Sequence, residues 1–356
     1  MSLGWELLRR GMTVQIVRHQ SAAPPASWAG AGILPPAPTT TVDDPYQQLC
    51  KLSHEKHMQW ASQLLSETGK DNGFRRCGGL YLAKSPAEAA TLAANAFWWD
   101  EHGIEHQRLS TDEVTKVEPL LKQIADSIHS AWLLPDECQI RNPDHLSALE
   151  SACRSRGAVI HDDVLIDQLL INSDTVTGGQ AAGRKFYADQ TCICSGAWSR
   201  LAMQPIGASS GIMPIRGQMI LYKLPTAPFK HVINEGNRYM VAREDGHVLA
   251  GSVEEEVGYE IATTDEAISD IRHWAESIMP LLAGHDLKDS WAGLRPGSYD
   301  GFPYMGHIKQ RQNLLVAAGH FRSGLHLSPG TAIVMADLIQ GQTPSIDLTQ
   351  FRPSRG

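Results

Sequence analysis

Apolar positions along the opening residues follow a helical spacing over Ser2–Arg10, and Gly11 stops the run. The β-branched stretch Thr13–Val17 then predicts a strand, and the Pro/Ala/Gly-rich segment 21–45 predicts mostly loop. Helices are expected over Tyr46–Glu67 and Pro86–His102, the second with proline in its first turn. Between them, Cys77-Gly-Gly-Leu-Tyr-Leu-Ala reads as a glycine turn entering a short strand. Ser110-Thr-Asp-Glu113 has the form of a capping box and opens a short helix that must end before Pro119. Pro143–Arg156 is a further helix closed by Gly157, with a strand at Ala158–Ile160. Strands are then expected at Val164–Ile171, Arg184–Ala188, Thr191–Cys194, Gln218–Tyr222, Arg238–Ala242 and His247–Ala250. A helix over Asp265–Leu282 interrupts them, and the chain closes with a buried-type strand, Asn313–Ala318, and a helix, Thr331–Ile339. Strands alternating with helices at both ends, around a block that reads as antiparallel, predict two domains whose chain crosses over more than once.

Composition narrows the picture. The chain has 356 residues, 42% hydrophobic and 20% charged, enough for two ordinary cores and too apolar for disorder. No apolar run approaches the ~18 residues of a bilayer helix, and the first residues lack the apolar core of a signal peptide. A cytoplasmic protein is therefore expected. A net charge of −8 with no basic stripe argues against a nucleic-acid partner. The six cysteines show no zinc spacing, so no metal site is expected. Cys192 and Cys194 alternate on one strand face and read as small apolar packing. His54 and His57, three apart on a helix, read as part of a polar face.

The first helix and strand have the spacing of a dinucleotide-binding βαβ unit without its first strand and G-x-G-x-x-G loop, and Arg18 stands where an acidic residue would meet the ribose. Four further segments are more specific: SWAGAGIL (Ser27–Leu34), MPIRGQM (Met213–Met219), SWAGLRPGSYDGFPYMG (Ser290–Gly306) and AAGHFRSGLHLSP (Ala317–Pro329). In this order and at this separation they resemble the flavin-dependent D-amino-acid oxidase family, most of all its glycine oxidase branch, which serves thiamine biosynthesis. The likeness runs from Ser2 to about Leu338.

The resemblance implies an α/β fold: a Rossmann-type FAD domain interleaved with an α+β substrate domain built on an antiparallel sheet. The expected division is 1–45, 140–205 and 290–356 for FAD, and 46–139 and 206–289 for the substrate. It implies FAD as cofactor, with Ser27, Ala31, Gly32 and Ile33 in the small-residue loop against the flavin and Val164 on the adenine side. Gly196 and the run His320, Phe321, Arg322, Ser323, Gly324, Leu325 and His326 complete the cofactor set. Arg295 matches the arginine that holds the substrate carboxylate, a task suited to a planar fork of donors. Tyr239 matches its assistant, and Arg322 a residue near both flavin and amine. Glu254–Glu256 is expected as a solvated turn. His326 and Ser323 depart from the leucine and asparagine of the branch.

The implied reaction is oxidative deamination of glycine or a small D-amino acid: hydride leaves Cα for flavin N5, the imine hydrolyses, and O2 becomes H2O2. The partners are then an amino acid and O2, with a homo-oligomer allowed. Two alternatives stay open at this point, a dehydrogenase passing electrons to a carrier and a flavin-free binding or structural subunit. The absent phosphate loop also raises the expectation that Met1 is not the native start and that upstream sequence encodes the strand and loop.

Overall fold

The structure is a computed structural model that describes residues 1–19, 25–208, 210–309 and 311–355. Its largest element is an eight-stranded sheet. In spatial order the strands are Leu287–Ser298, Ile212–Lys223, His247–Gly251, Arg238–Ala242, Val232–Glu235, Gly79–Ala83, Ser130–Leu134 and Gln107–Leu109. All neighbours run antiparallel except Val232–Glu235 beside Gly79–Ala83, which is parallel. The two longest strands pair continuously from Ile212↔Ser298 to Leu221↔Asp289, with a register shift before Tyr222↔Leu287. Alternate residues such as Ile220 and Tyr222 are turned to one face. There, with Leu80, Leu82 and Val248, they pack on Ile271, Trp274 and Ile278 of the helix Asp265–Ile278. That helix ends four residues earlier than expected, because Pro280 cannot continue it and opens a 3-10 turn instead.

A second layer holds short sheets. Gln15–Val17 pairs in parallel with Val159–His161, and Thr191–Ile193 pairs in parallel with Leu314–Ala318, to which Tyr304–His307 adds antiparallel. Helices Ser2–Arg9, Pro45–Thr68, Asn142–Ser155 and Ser328–Ile339 cover them through a core of Trp5, Trp60, Leu64, Leu149 and Ala332. Trp5 meets Trp60 edge to face at 4.8 Å, an arrangement favoured by the ring quadrupoles. The expected helices and the expected capping box are present, the latter with both reciprocal bonds of Ser110 and Glu113.

Several expected boundaries move. The segment read as loop holds a short helix, Ala26–Ala29, and the strand Ile33–Leu34; residues 21–24 of it lie outside the described part. The strand expected from Val164 begins at Gln168, and Val164 instead donates its N–H to the Arg18 carbonyl at 3.0 Å. Leu287–Ser298 carries two glycines and a proline, so its composition hides a strand that the partner Ile212–Lys223 imposes. It crosses position 290 and so carries the start of the third expected cofactor segment into the large sheet. No helix among the described residues is long and apolar enough to cross a membrane.

Candidate active site

A cleft of about 3270 Å³ lies between the large sheet and the small-sheet layer. Every residue singled out from the sequence lines it: Ser27, Ala31, Gly32, Ile33, Val164, Gly196, Tyr239, Arg295 and the run His320–His326. One wall is a face of the large sheet. The other is made of loops, Ser27–Ile33 and His320–His326.

On the sheet wall, Arg295 stands opposite Ile215 in the long strand pair. Its guanidinium donates to the Val253 carbonyl at 3.0 Å and the Ser252 hydroxyl at 2.6 Å. It reaches across Gly217, where an added Cβ would sit 2.3 Å from the guanidinium, so only glycine leaves it that space. Among the described residues no carboxylate pairs with Arg295. Tyr239 donates its hydroxyl to the Met219 sulfur at 3.5 Å, and the two side chains close the same wall.

The loop wall is held by the carbonyl oxygens of its own backbone. Asn142 Nδ2 donates to Ser27 O at 2.9 Å, Trp291 Nε1 to Ala29 O at 2.9 Å, Arg243 Nη2 to Ala31 O at 2.7 Å and the Ile140 N–H to Gly32 O at 2.8 Å. In a trans peptide the N–H points opposite to the carbonyl, so with Ala31 O turned to the body the Gly32 N–H turns away from it. Gly32 has φ +75°, and an added Cβ would lie 1.9 Å from the Ile140 carbonyl oxygen. Arg243 is buried and also donates to Gln139 Oε1; burial and the nearby Arg141 lower its pKa to about 10. Arg243, Asn142 and Trp291 are positioning residues that the motif comparison passed over. Trp291 lies inside the stretch SWAGLRPGSYDGFPYMG, but only the folded chain shows what it holds.

In the second loop, Phe321 sits at φ +49°, a strained position for a side chain of its size and a mark of a constrained site. His320 Nε2 lies 3.0 Å from Thr331 Oγ1, and burial lowers its pKa to about 4, so it is neutral at pH 7. Tyr46 donates to Ser323 Oγ at 3.2 Å, and Leu325 packs on Leu34, Cys138 and Ile140. His326 is buried with its Nε2 unpartnered among the described residues, and burial with His57 and His54 beside it holds its pKa well below the ordinary value.

Three expectations change here. Arg322 is not free toward a substrate amine, because Glu254 pairs with its Nε. Glu254 and Glu256 are exposed, as expected of a solvated turn, while Glu254 also pairs with Arg322: burial pushes its pKa upward, but Arg322 and Arg295 hold it below the ordinary carboxylate range. Glu255 likewise binds Arg216 at 2.8 Å and 3.1 Å. His54 and His57 do not form a polar face, since His57 is buried with its ring stacked on His326 and His54 is half-buried against Asp136. Cys192 packs as expected but Cys194 is exposed, their sulfurs 3.6 Å apart. Arg18 pairs with Asp162 at 2.5 Å and Glu150 at 2.9 Å, and Glu150 lines the cleft.

The cleft suits a large ligand with polar edges. Asn142 Oδ1, Thr191 Oγ1, Ser328 Oγ and His326 Nε2 line it, each buried without a hydrogen-bond partner among the described residues. Buried polar atoms are rarely left unpaired, so these await partners from a ligand or water. The volume also exceeds the few hundred to ~1,000 Å³ of ordinary small-molecule pockets, which fits a dinucleotide.

Comparison with known proteins agrees. The family model described as "FAD dependent oxidoreductase" matches residues 1–338. A glycine oxidase of Pseudomonas aeruginosa is 29% identical over 98% of this chain and 94% of its own. The bifunctional protein ThiO/ThiG of Synechocystis is 28% identical over all of this chain and 52% of its own length. The crystal structure of glycine oxidase from Geobacillus kaustophilus superposes with a TM-score of 0.93 at 28% identity, covering 100% of this chain and 95% of that one. With a cleft that fits the cofactor and a family match over nearly its whole length, the chain belongs to the DAO family of FAD-dependent oxidoreductases.

Proposed function

We propose that the protein deaminates glycine or another small amino acid oxidatively. The observation that carries this is Arg295, a half-buried guanidinium on the cleft wall with no carboxylate partner among the described residues. A half-buried guanidinium that forms no salt bridge and feels only the nearby Glu254 charge suits an anionic ligand. Its fork grips a substrate carboxylate through two parallel bonds, while Ser252 and Val253 hold it in place. Met219 and Tyr239, bonded to each other in the lining of the same cleft, would limit the Cα substituent to a small group.

Bound FAD supplies the two-electron acceptor for the substrate Cα–H and passes the pair to O2. The chain's part is orientation: Arg295 fixes the carboxylate, and the Gly32 N–H and neutral His320 belong to the wall that holds the cofactor. No general base is required, since the amine enters neutral, and the released imino acid hydrolyses in water to a keto acid and ammonia. Segments 1–45, 140–205 and 290–356 would hold the cofactor, with 46–139 and 206–289 on the substrate side. The likeness to ThiO/ThiG supports a role in thiamine biosynthesis, in the cytoplasm.

The test is anaerobic reduction of the yellow enzyme by glycine, sarcosine and D-alanine, followed by mixing with air. Bleaching by one of them and rapid reoxidation with peroxide release are expected. A flavin that no small amino acid bleaches would overturn the assignment, and slow reoxidation would identify a dehydrogenase.

A further inference from the structure

Outside the residues that line the cleft, side chains from two distant parts of the chain meet. His54 comes from the helix Pro45–Thr68, and Asp136 and Cys138 flank the turn into the strand Cys138–Gln139. A ring nitrogen of His54, a carboxylate oxygen of Asp136 and the Cys138 sulfur all lie within 4.8 Å of one another. His54 Nε2 is already 3.2 Å from Asp136 Oδ2. Ligand bonds of about 2.0–2.3 Å in a tetrahedral zinc site place donor atoms roughly 3.3–3.8 Å apart, so the cluster needs only a small contraction. Asp136 and His54 are partly exposed, which gives an ion a way in, while Cys138 closes the inner side.

We propose that His54, Asp136 and Cys138 form a binding site for a zinc-class divalent cation, with a water in the fourth position. The nitrogen, oxygen and sulfur donor set suits a borderline-soft ion and excludes magnesium and calcium, which take oxygen alone. Three protein ligands with one open position make the ion exchangeable rather than a permanent part of the fold. Arg76 holds the other carboxylate oxygen at 2.8 Å and orients Asp136, as outer partners of metal ligands do.

The position gives the ion a consequence. Cys138 and Gln139 pair with Leu34 and Ile33, the last residues of the cofactor loop. The His54 ring also meets the ring of His326 at 6.1 Å, at the end of the second loop. A bound cation therefore ties the helix Pro45–Thr68 to both halves of the loop wall.

The experiment is calorimetric titration of chelator-treated, FAD-loaded protein with ZnCl2, together with the absorption difference on adding Co2+. One equivalent of zinc and thiolate-to-cobalt charge-transfer bands are expected. Cys138→Ser and His54→Gln should each weaken zinc at least ~10-fold. Asp136→Asn, at a partly exposed carboxylate outside the core, should do the same without threatening the fold. Cys192→Ser/Cys194→Ser, which removes a close pair of thiols elsewhere in the chain, should leave zinc affinity unchanged. No zinc binding by the parent protein would overturn the proposal. So would binding that survives the first three changes or disappears with the Cys192 and Cys194 pair.

Discussion

The two walls of the cleft are built on opposite principles. The sheet wall takes its precision from register: two twelve-residue strands pair along nearly their whole length, and Arg295 is fixed wherever that pairing puts it. The loop wall has no such ladder. Its backbone carbonyls are pinned one by one, by Asn142, Trp291, Arg243 and the Ile140 N–H, and several of the supporting side chains are buried and polar. A register shared over a long pairing tolerates the loss of one side chain, because neighbouring pairs keep the strand in place. A loop held by single hydrogen bonds does not, because each buried donor it loses leaves an acceptor unpaired. Chemistry at the sheet wall should therefore be separable from folding, and chemistry at the loop wall should not.

The largest effect expected on this view is in Arg295→Ala. It removes the carboxylate fork and should cost roughly 2–5 kcal/mol of transition-state stabilisation, seen in steady-state kinetics as a higher KM and a lower kcat. Flavin content and spectrum should stay unchanged. Loss of flavin along with activity would show that the walls are not independent.

Next comes a pair of glycine substitutions. Gly32→Ala forces a side chain into φ +75° and drives its Cβ into the Ile140 carbonyl, so about 3 kcal/mol of stability and the bound flavin should both be lost. Gly217→Ala meets only the movable end of Arg295 and has no positive φ. It should keep its flavin and raise KM. Equal flavin loss in the two variants, measured by absorbance and thermal melting, would erase the distinction.

The effect that is smallest per residue is one of pH. His145, on the helix that presents Asn142, is buried, accepts a hydrogen bond from Asn72 and has its pKa lowered to about 3 by burial, His57 and the chain's N-terminal amine. His320 is lowered to about 4. For a depressed histidine the unfolded chain takes up a proton from pH 6.5 downward while the folded one does not. Stability is therefore full above pH 6.5 and falls as the pH drops toward the folded value, by about 2 kcal/mol per histidine at pH 5. Flavin release should thus precede loss of amide protection in the large sheet between pH 6.5 and pH 5. Simultaneous loss would remove the loop wall as the weaker unit.

Much of the site was legible because its chemistry is concentrated in short contiguous runs. Ser27–Leu34, Ala317–Pro329 and the residues around Arg295 each carry their own glycines and polar groups, and all of them line the cleft. The partners that hold these runs were not legible. Arg243 and Ala31 stand 212 residues apart, and nothing local to either marks the contact. The strand Leu287–Ser298 was hidden for the same reason, since its pairing and not its composition makes it a strand.

The sequence by itself determined what depends on near neighbours. Helix starts with capping boxes at Ser85 and Ser110, the stop at Gly69 in left-handed conformation and the break at Pro280 follow from residues within one turn. Tertiary structure alone decided the fate of the charged groups. Arg295, Arg322 and Arg243 are the same side chain, yet one faces the cleft without a carboxylate, one is paired with Glu254 and one is buried on the Ala31 carbonyl. The energy of a charge is set by the burial and the opposite charges within a few ångströms of it. Those neighbours are supplied by strands and loops far away in the chain, so the role of each arginine exists only once the chain has folded.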